Sequence, residues 1–301
     1  MSQFEKTLIL PDLQNREDAR GISIDRVGIT GYIFPVEILN ISGEVNSVSA
    51  VVDLFVGLPH NYKGVNMSRF SECLLEFSDK MVGFHMFPQL LSLMQTKLES
   101  ADAYARFEFD YFIKKTSPVS KIEAPQAYRC AFTGIQHGTD YTFILEVNVV
   151  AASVCPCSRE MSLLENLFDR DIEFNGEHLI DLERFKKGCS QVGMGAHNQR
   201  SKIKVRVITK PNEIFWIEDL IKLIEGCASA PTYPILKRPD EKFVTELGYN
   251  NAKFSEDILR DIQLGLEAKA FVDEWFIKVD NEESIHPFNA TSIQHSKGWK
   301  F

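Results

Sequence analysis

No apolar run in this 301-residue chain reaches the roughly 20 residues that a membrane-spanning helix needs, so no membrane partner is expected. Positive charge is in short supply. The chain has 33 Lys and Arg against 42 Asp and Glu, a formal net charge of −9. Without a basic field no nucleic-acid partner is expected, and an anionic small molecule would have to be held by a local cluster of Arg and Lys. The opening residues, Met1-Ser2-Gln3-Phe4-Glu5-Lys6, lack the basic-then-apolar order of a signal peptide, and the expected compartment is the cytoplasm. Cysteine is sparse: there are six, at 73, 130, 155, 157, 189 and 227, with no CxxC pair of the zinc-ribbon kind. In a cytoplasmic chain these read as thiols or ligands rather than disulfides. Cys73 and Cys130 fall in apolar helical and strand patterns, as buried small hydrophobes do. No internal sequence repeat is visible.

What is present is an ordinary globular balance, 44% hydrophobic and 25% charged, long enough for two packed halves. Residues 1–25 are polar and read as an arm. Val27–Leu39 and Val45–Val56 read as strands around a Ser42-Gly43 turn, and 59–66 as a loop. Ser68 reads as the N-cap of a helix carrying Phe70, Cys73, Leu74 and Phe77, and a second helix follows Pro88. Ala103–Lys114 alternates as a strand.

The order then recurs in outline. Ala127–His137 and Tyr141–Ala152 read as strands. An interruption at 159–194 carries weak helical patterns near 161–168 and 182–187. Ser201–Thr209 reads as a strand, Glu213–Ala228 and Phe254–Lys269 as amphipathic helices, and Phe271–Val279 and Asn289–Gln294 as strands. The economical arrangement is α+β, in two related halves, 26–116 and 126–301, with a linker-like boundary at 116–126.

Val154-Cys155-Pro156-Cys157-Ser158-Arg159 ends an apolar strand, and Pro156 is expected to break it and turn the thiols out of the ladder. CxC spacing alone suits two ordinary loop cysteines as well as it suits ligands. His197, in Gly195-Ala196-His197-Asn198, has small neighbours that leave room for an approaching group, though a lone histidine is more often a surface residue. Lys237-Arg238-Pro239-Asp240-Glu241-Lys242 reads either as a solvated charge run or as a shaped, irregular loop delivering Glu241. Cys155, His197 and Glu241 together would leave a fourth metal position open for water.

Other groups have two readings as well. Glu256-Asp257 at a helix start complements the helix dipole. Glu283 and His286, three apart after a strand, could serve acid–base chemistry. Arg69 and Arg200, each beside a serine, could hold phosphate oxygens, and each could equally be an exposed cation at an element end.

Five words of the sequence then line up with one family, in its order. They are Met67-Ser68-Arg69-Phe70, Cys155-Pro156-Cys157-Ser158, Gly195-Ala196-His197-Asn198-Gln199-Arg200-Ser201, Leu236-Lys237-Arg238-Pro239-Asp240-Glu241-Lys242 and Glu283-Ser284-Ile285-His286. The chain resembles the type IB GTP cyclohydrolases, which have the tunnelling fold. The resemblance implies antiparallel sheets with helices packed on one face, two tandem related halves, and a homotetramer with sites at subunit contacts. It implies conversion of GTP and water to 7,8-dihydroneopterin triphosphate and formate, the entry to folate and, in some lineages, to modified tRNA bases.

By the same resemblance Cys155, His197 and Glu241 are ligands to one divalent metal (Zn, Mn or Fe(II)), and Glu256 anchors the purine. Glu283 and His286 lie near the reacting ring, and Cys157 is the second active-site cysteine. Arg69, Arg200 and Lys237 are candidates for the triphosphate from their charge and place in the motifs. Two departures stand out: Asn66 replaces the histidine usual before Met-Ser-Arg-Phe, and 159–194 lengthens a link that is short in the family. Three rival readings stand beside this one: an archaeal-type cyclohydrolase giving a cyclic phosphate, a nitrile reductase of the same fold, and a non-catalytic purine-binding protein.

Overall fold

The computed structural model describes residues 14, 17–78, 80–168 and 195–301, with side chains of 163–168 left aside. In chain order the elements are β1 (Ile24–Leu39), β2 (Val45–Leu58), α1 (Ser68–Leu75), α2 (Phe87–Leu98), β3 (Asp102–Thr116), β4 (Glu123–His137), β5 (Asp140–Val154) and α3 (Pro156–Phe168). They continue with β6 (Asn198–Thr209), α4 (Ile217–Cys227), β7 (Ala230–Pro231), α5 (Arg238–Asn250), α6 (Ser255–Glu267), β8 (Val272–Glu282) and β9 (Asn289–His295). This is the expected α+β order. The chain divides into two compact units. One holds the residues up to Asp110 with Ala131–Ile144, and the other Tyr111–Cys130 with Leu145–Phe301. The division passes through β3, β4 and β5, and the 116–126 stretch expected as a boundary lies inside the second unit.

In the first unit β2 pairs antiparallel with β1 and with β3. Alternation along β2 buries Ala50, Val52, Leu54 and Val56, and along β3 it buries Ala103, Ala105, Phe107 and Phe109. That is the period-two pattern of a sheet with one covered face. Helix α2 supplies the cover with Phe87, Leu90, Leu91 and Met94, all buried. The Phe87 ring meets Phe107 and Phe143 edge-on, each with centroids 5.3 Å apart. Gly134 of β4 lets the helix approach, because a Cβ there would stand 2.5 Å from Phe87 Cδ1. The described part of the N-terminal arm runs along the 59–66 loop, with Glu17 bridged to Tyr62 and the Asp18 N–H donating to Asn61.

The second unit carries the C-terminal motifs. Strand β8 lies between β6 and β9, antiparallel to both. Its pairs Ile203–Val279, Val205–Ile277 and Val207–Trp275 place buried side chains opposite one another. Helix α6 packs on β8 and buries Ile258, Ile262 and Leu266 at helical spacing.

Four local expectations are corrected. Ser68 is the first residue of α1 rather than its cap; Asn66 Oδ1 accepts from the Ser68 N–H and Oγ instead. Pro156 does not simply break β5 but opens α3, where its missing N–H costs nothing and its fixed φ suits the first turn. Residues 213–216 precede α4, which starts at Ile217 after an extended Trp216. The 237–242 charge run is no irregular loop: Arg238 begins a 13-residue helix with Pro239 in its first turn and Asp240 capping it. The pattern near 182–187 lies outside the described residues.

Candidate active site

All the contacts of this site fall within the second unit. Strand β5 ends at Val154, whose N–H donates to Ser229 Oγ and whose carbonyl accepts from Lys253 N–H. The next residue, Cys155, gives its N–H to the carbonyl of His197 at 3.0 Å. Helix α3 then turns back over this contact. The Ser158 hydroxyl donates to the Cys155 carbonyl (3.3 Å) and accepts from the His197 N–H (3.2 Å). One turn on, Ser162 Oγ donates to the Gly195 carbonyl at 2.7 Å. A thiol and an imidazole far apart in the chain thus stand on neighbouring, cross-linked backbones. Cys155 is half-buried and Cys157 exposed.

The His197 ring is 19% exposed and the Glu283 carboxylate 10%, with 3.8 Å between Nδ1 and Oε2. That gap is too long for a direct hydrogen bond. Gln199 fills it: its Nε2 stands 2.7 Å from His197 Nδ1 and 2.9 Å from Glu283 Oε2, and its Oε1 accepts from Ser153 Oγ at 3.2 Å. Glu283 follows directly on β8, and His286, exposed, stacks on Phe288 with centroids 5.0 Å apart and 6° between planes.

The remaining candidates sit at helix starts and strand ends. Glu241 is exposed in the first turn of α5. Asp240 beside it is fully buried and accepts from Val119 N–H, Ser120 N–H, Ser120 Oγ and Lys237 N–H. Burial alone would raise its pKa; those hydrogen bonds, led by Ser120, outweigh it and hold the carboxyl well below the usual carboxylate range. In the first turn of α6 Asp257 takes the cap, accepting from the Phe254 N–H, and Glu256 stays exposed with Ser255 Oγ donating to it. Arg200 and Lys237 are exposed. Arg69 belongs to the first unit, where its Nη1 donates to the Lys97 carbonyl at 2.8 Å.

Of the expected site residues, the structure brings Cys155, His197 and Glu283 together. It does not gather Glu241 with them: among the described residues no group of three or more His, Cys, Asp and Glu side chains is disposed to hold a metal ion. Gln199, Ser158 and Asp240 were missed as site residues. A signal for Gln199 existed, because it falls in the same alternating phase as the buried Ser201, Ile203, Val205 and Val207.

With that geometry in hand, comparison with known proteins gives one family. The model described as GCHY-1, type I GTP cyclohydrolase folE2, matches residues 10–292. The chain is 37% identical over 285 residues to a protein of Azoarcus sp. strain BH72 named GTP cyclohydrolase FolE2, covering 94% of each chain. It is 38% identical over 289 residues to one of the same name from Geobacter sulfurreducens, covering 96% of this chain and 99% of the relative. Among solved structures, uricase from Arthrobacter globiformis superposes with a TM-score of 0.52 at 7% identity, covering 92% of this chain and 95% of that one. At that identity the likeness is one of fold alone, and it bears out the tunnelling fold.

Proposed function

This chain belongs to the type I GTP cyclohydrolase folE2 family, and from that premise we propose that it is a type IB, metal-dependent enzyme converting GTP and water to 7,8-dihydroneopterin triphosphate and formate. The observation that supports carrying the reading to particular residues is the backbone bond between Cys155 and His197, which makes neighbours of a thiol-bearing and an imidazole-bearing residue. Sulfur and nitrogen donors of this kind suit Zn, Fe(II) or Mn(II) to different degrees. Two of the three proposed ligands therefore fit a divalent cation. The third, Glu241, is an oxygen donor in the first turn of α5, steadied by the buried carboxylate of Asp240.

Cys155, His197 and Glu241 would hold a divalent cation, which when bound would supply the Lewis acidity that lowers the pKa of water enough for attack at C8, a poor electrophile. The chain's own groups do the rest. Glu256 accepts hydrogen bonds from the guanine N–H edge, a task for a carboxylate because it only accepts. Asp257, by taking the helix cap, leaves Glu256 free for this. His286 protonates a ring nitrogen as the C–N bond opens, and Glu283, poorly exposed, receives or returns the proton. Cys157 is the second cysteine of the site. Arg200 and Lys237 neutralise the triphosphate in an otherwise acidic protein, and Arg69, which lies in the first unit, stays a candidate on its charge alone.

As the resemblance implies, we place the enzyme in the cytoplasm, as a homotetramer whose neighbouring subunits complete each site. The five described cysteines are in no disulfide among the described residues. No described helix is long and apolar enough to cross a membrane. The test is incubation with GTP after loading with Zn, Mn or Fe(II). Formate and a pterin that fluoresces after oxidation should appear in equal amounts; no product with any of the three metals would overturn the reading.

A further inference from the structure

We propose that Gln199 is a positioning residue that couples His197 to Glu283, so that the state of one is communicated to the other. The inference rests on the cyclohydrolase reading and deepens it. Its ground is a bridge: His197 Nδ1 and Glu283 Oε2 are 3.8 Å apart, and the Gln199 Nε2 lies between them at 2.7 and 2.9 Å. A primary amide nitrogen carries two N–H groups, one for each neighbour. The orientation of the amide follows from its surroundings. The carboxylate can only accept, so it demands the nitrogen, and Oε1 is left to accept from Ser153 Oγ. Gln199 is buried and Ser153 fully so, a setting that strengthens these bonds.

This arrangement fixes the ring. Nδ1 accepts, so a neutral His197 carries its proton on Nε2. Ligation of a metal through Nε2 requires that proton to be on Nδ1, and Nδ1–H then needs an acceptor. The same amide, turned end for end, offers Oε1; the Ser153 hydroxyl, which donates or accepts, serves either orientation. Turning the amide withdraws the donor from Glu283. Metal binding through His197 Nε2 would thereby release the Glu283 carboxylate from its amide partner, and a carboxylate held by Gln199 in the metal-free protein would become available for proton transfer once a cation is bound. An acid at 199 would lack the donor, a lysine would lack the acceptor, and an asparagine, one methylene shorter, would carry both groups on a shorter arm.

The test combines NMR and metal binding. In protein freed of metal by chelation, the 15N shifts of His197 should report Nε2–H with Nδ1 hydrogen-bonded. Zn2+ should move the proton to Nδ1 and shift the Gln199 side-chain amide. Gln199→Ala should abolish the Nδ1 hydrogen bond and weaken Zn2+ binding about 10- to 100-fold, the usual cost of losing a residue that orients a ligand. Gln199→Glu keeps an acceptor for Nδ1–H but repels Glu283. It should bind Zn2+ within a few-fold of the parent while kcat falls far more than KM changes.

Zn2+ affinity unchanged in Gln199→Ala, or a metal-free ring already protonated at Nδ1, would overturn the proposal. If the parent protein made no product from GTP, the cyclohydrolase reading would fall. The metal-free spectra of the parent and of Gln199→Ala would still decide the bridge.

Discussion

The amide N–H of Cys155 points at the carbonyl of His197, 3.0 Å away. A thiol at the end of β5 and an imidazole just before β6 are held as neighbours by main chain, which side-chain substitution leaves in place. Cys155→Ala and His197→Ala should therefore fold normally and yet each lose bound metal and turnover together. Metal content by elemental analysis, measured beside formate release, checks this; full activity with metal retained in either variant would refute the assignment.

Ser158 holds the same junction from the α3 side. Ser158→Ala removes a donor to the Cys155 carbonyl and an acceptor for the His197 N–H. The loss should cost about 1–3 kcal/mol, mostly from leaving the His197 N–H without its partner, since the Cys155 carbonyl still accepts from the Arg159 N–H. Chemical denaturation gives the stability change, and a parallel Zn2+ titration should show weaker binding than in the parent.

Glu241 and Asp240 are adjacent in the chain and should behave oppositely. Glu241→Gln should leave thermal stability nearly unchanged, because its side chain is exposed, and should lower metal affinity and turnover. Asp240→Asn should lower the melting temperature, since four donors converge on that carboxylate. The sign with pH follows from its depressed pKa. The stabilisation is present in full above the unfolded aspartate value, about 4, and is lost as pH falls further toward the folded value. Melting curves of parent and Asp240→Asn should thus differ at pH 7 and draw together in acid; a constant gap would contradict this account.

Glu256→Ala should raise KM for GTP much more than it alters the protein's stability, because Asp257 and not Glu256 caps α6. Steady-state kinetics and a melting curve on the same preparation separate the two effects.

In the first unit, Phe87 fits against Phe107, Phe143 and the bare backbone of Gly134. Phe87→Ala should cost about 3–5 kcal/mol, the range for emptying an aromatic from a packed core. Urea denaturation measures it directly.

Much of this was legible in the sequence, and the reasons are local. β2, β3 and β6 alternate cleanly, because each buries one face, and α6 repeats at helical spacing. α5 escaped notice because Pro239 and a dense charge run look like a loop. Pro is at home in a first turn, and the segment has low apolar content, burying only Asp240 and Gly248. α3 was placed too late for the same reason: Pro156 was read as an ending when it is a beginning. The chemistry of Cys155, His197 and Glu283 could be suspected from residue type. Their proximity, however, depends on β-pairing between distant stretches, and on a glutamine that announces itself only by occupying an inward-facing phase of β6.

One consequence follows from the bonds between α3 and the segment entering β6. Ser158 grips His197 and Ser162 grips Gly195, so successive turns of α3 are riveted to the stretch that enters β6. A disturbance to the first turns of that helix is therefore delivered straight to the backbone that carries the imidazole.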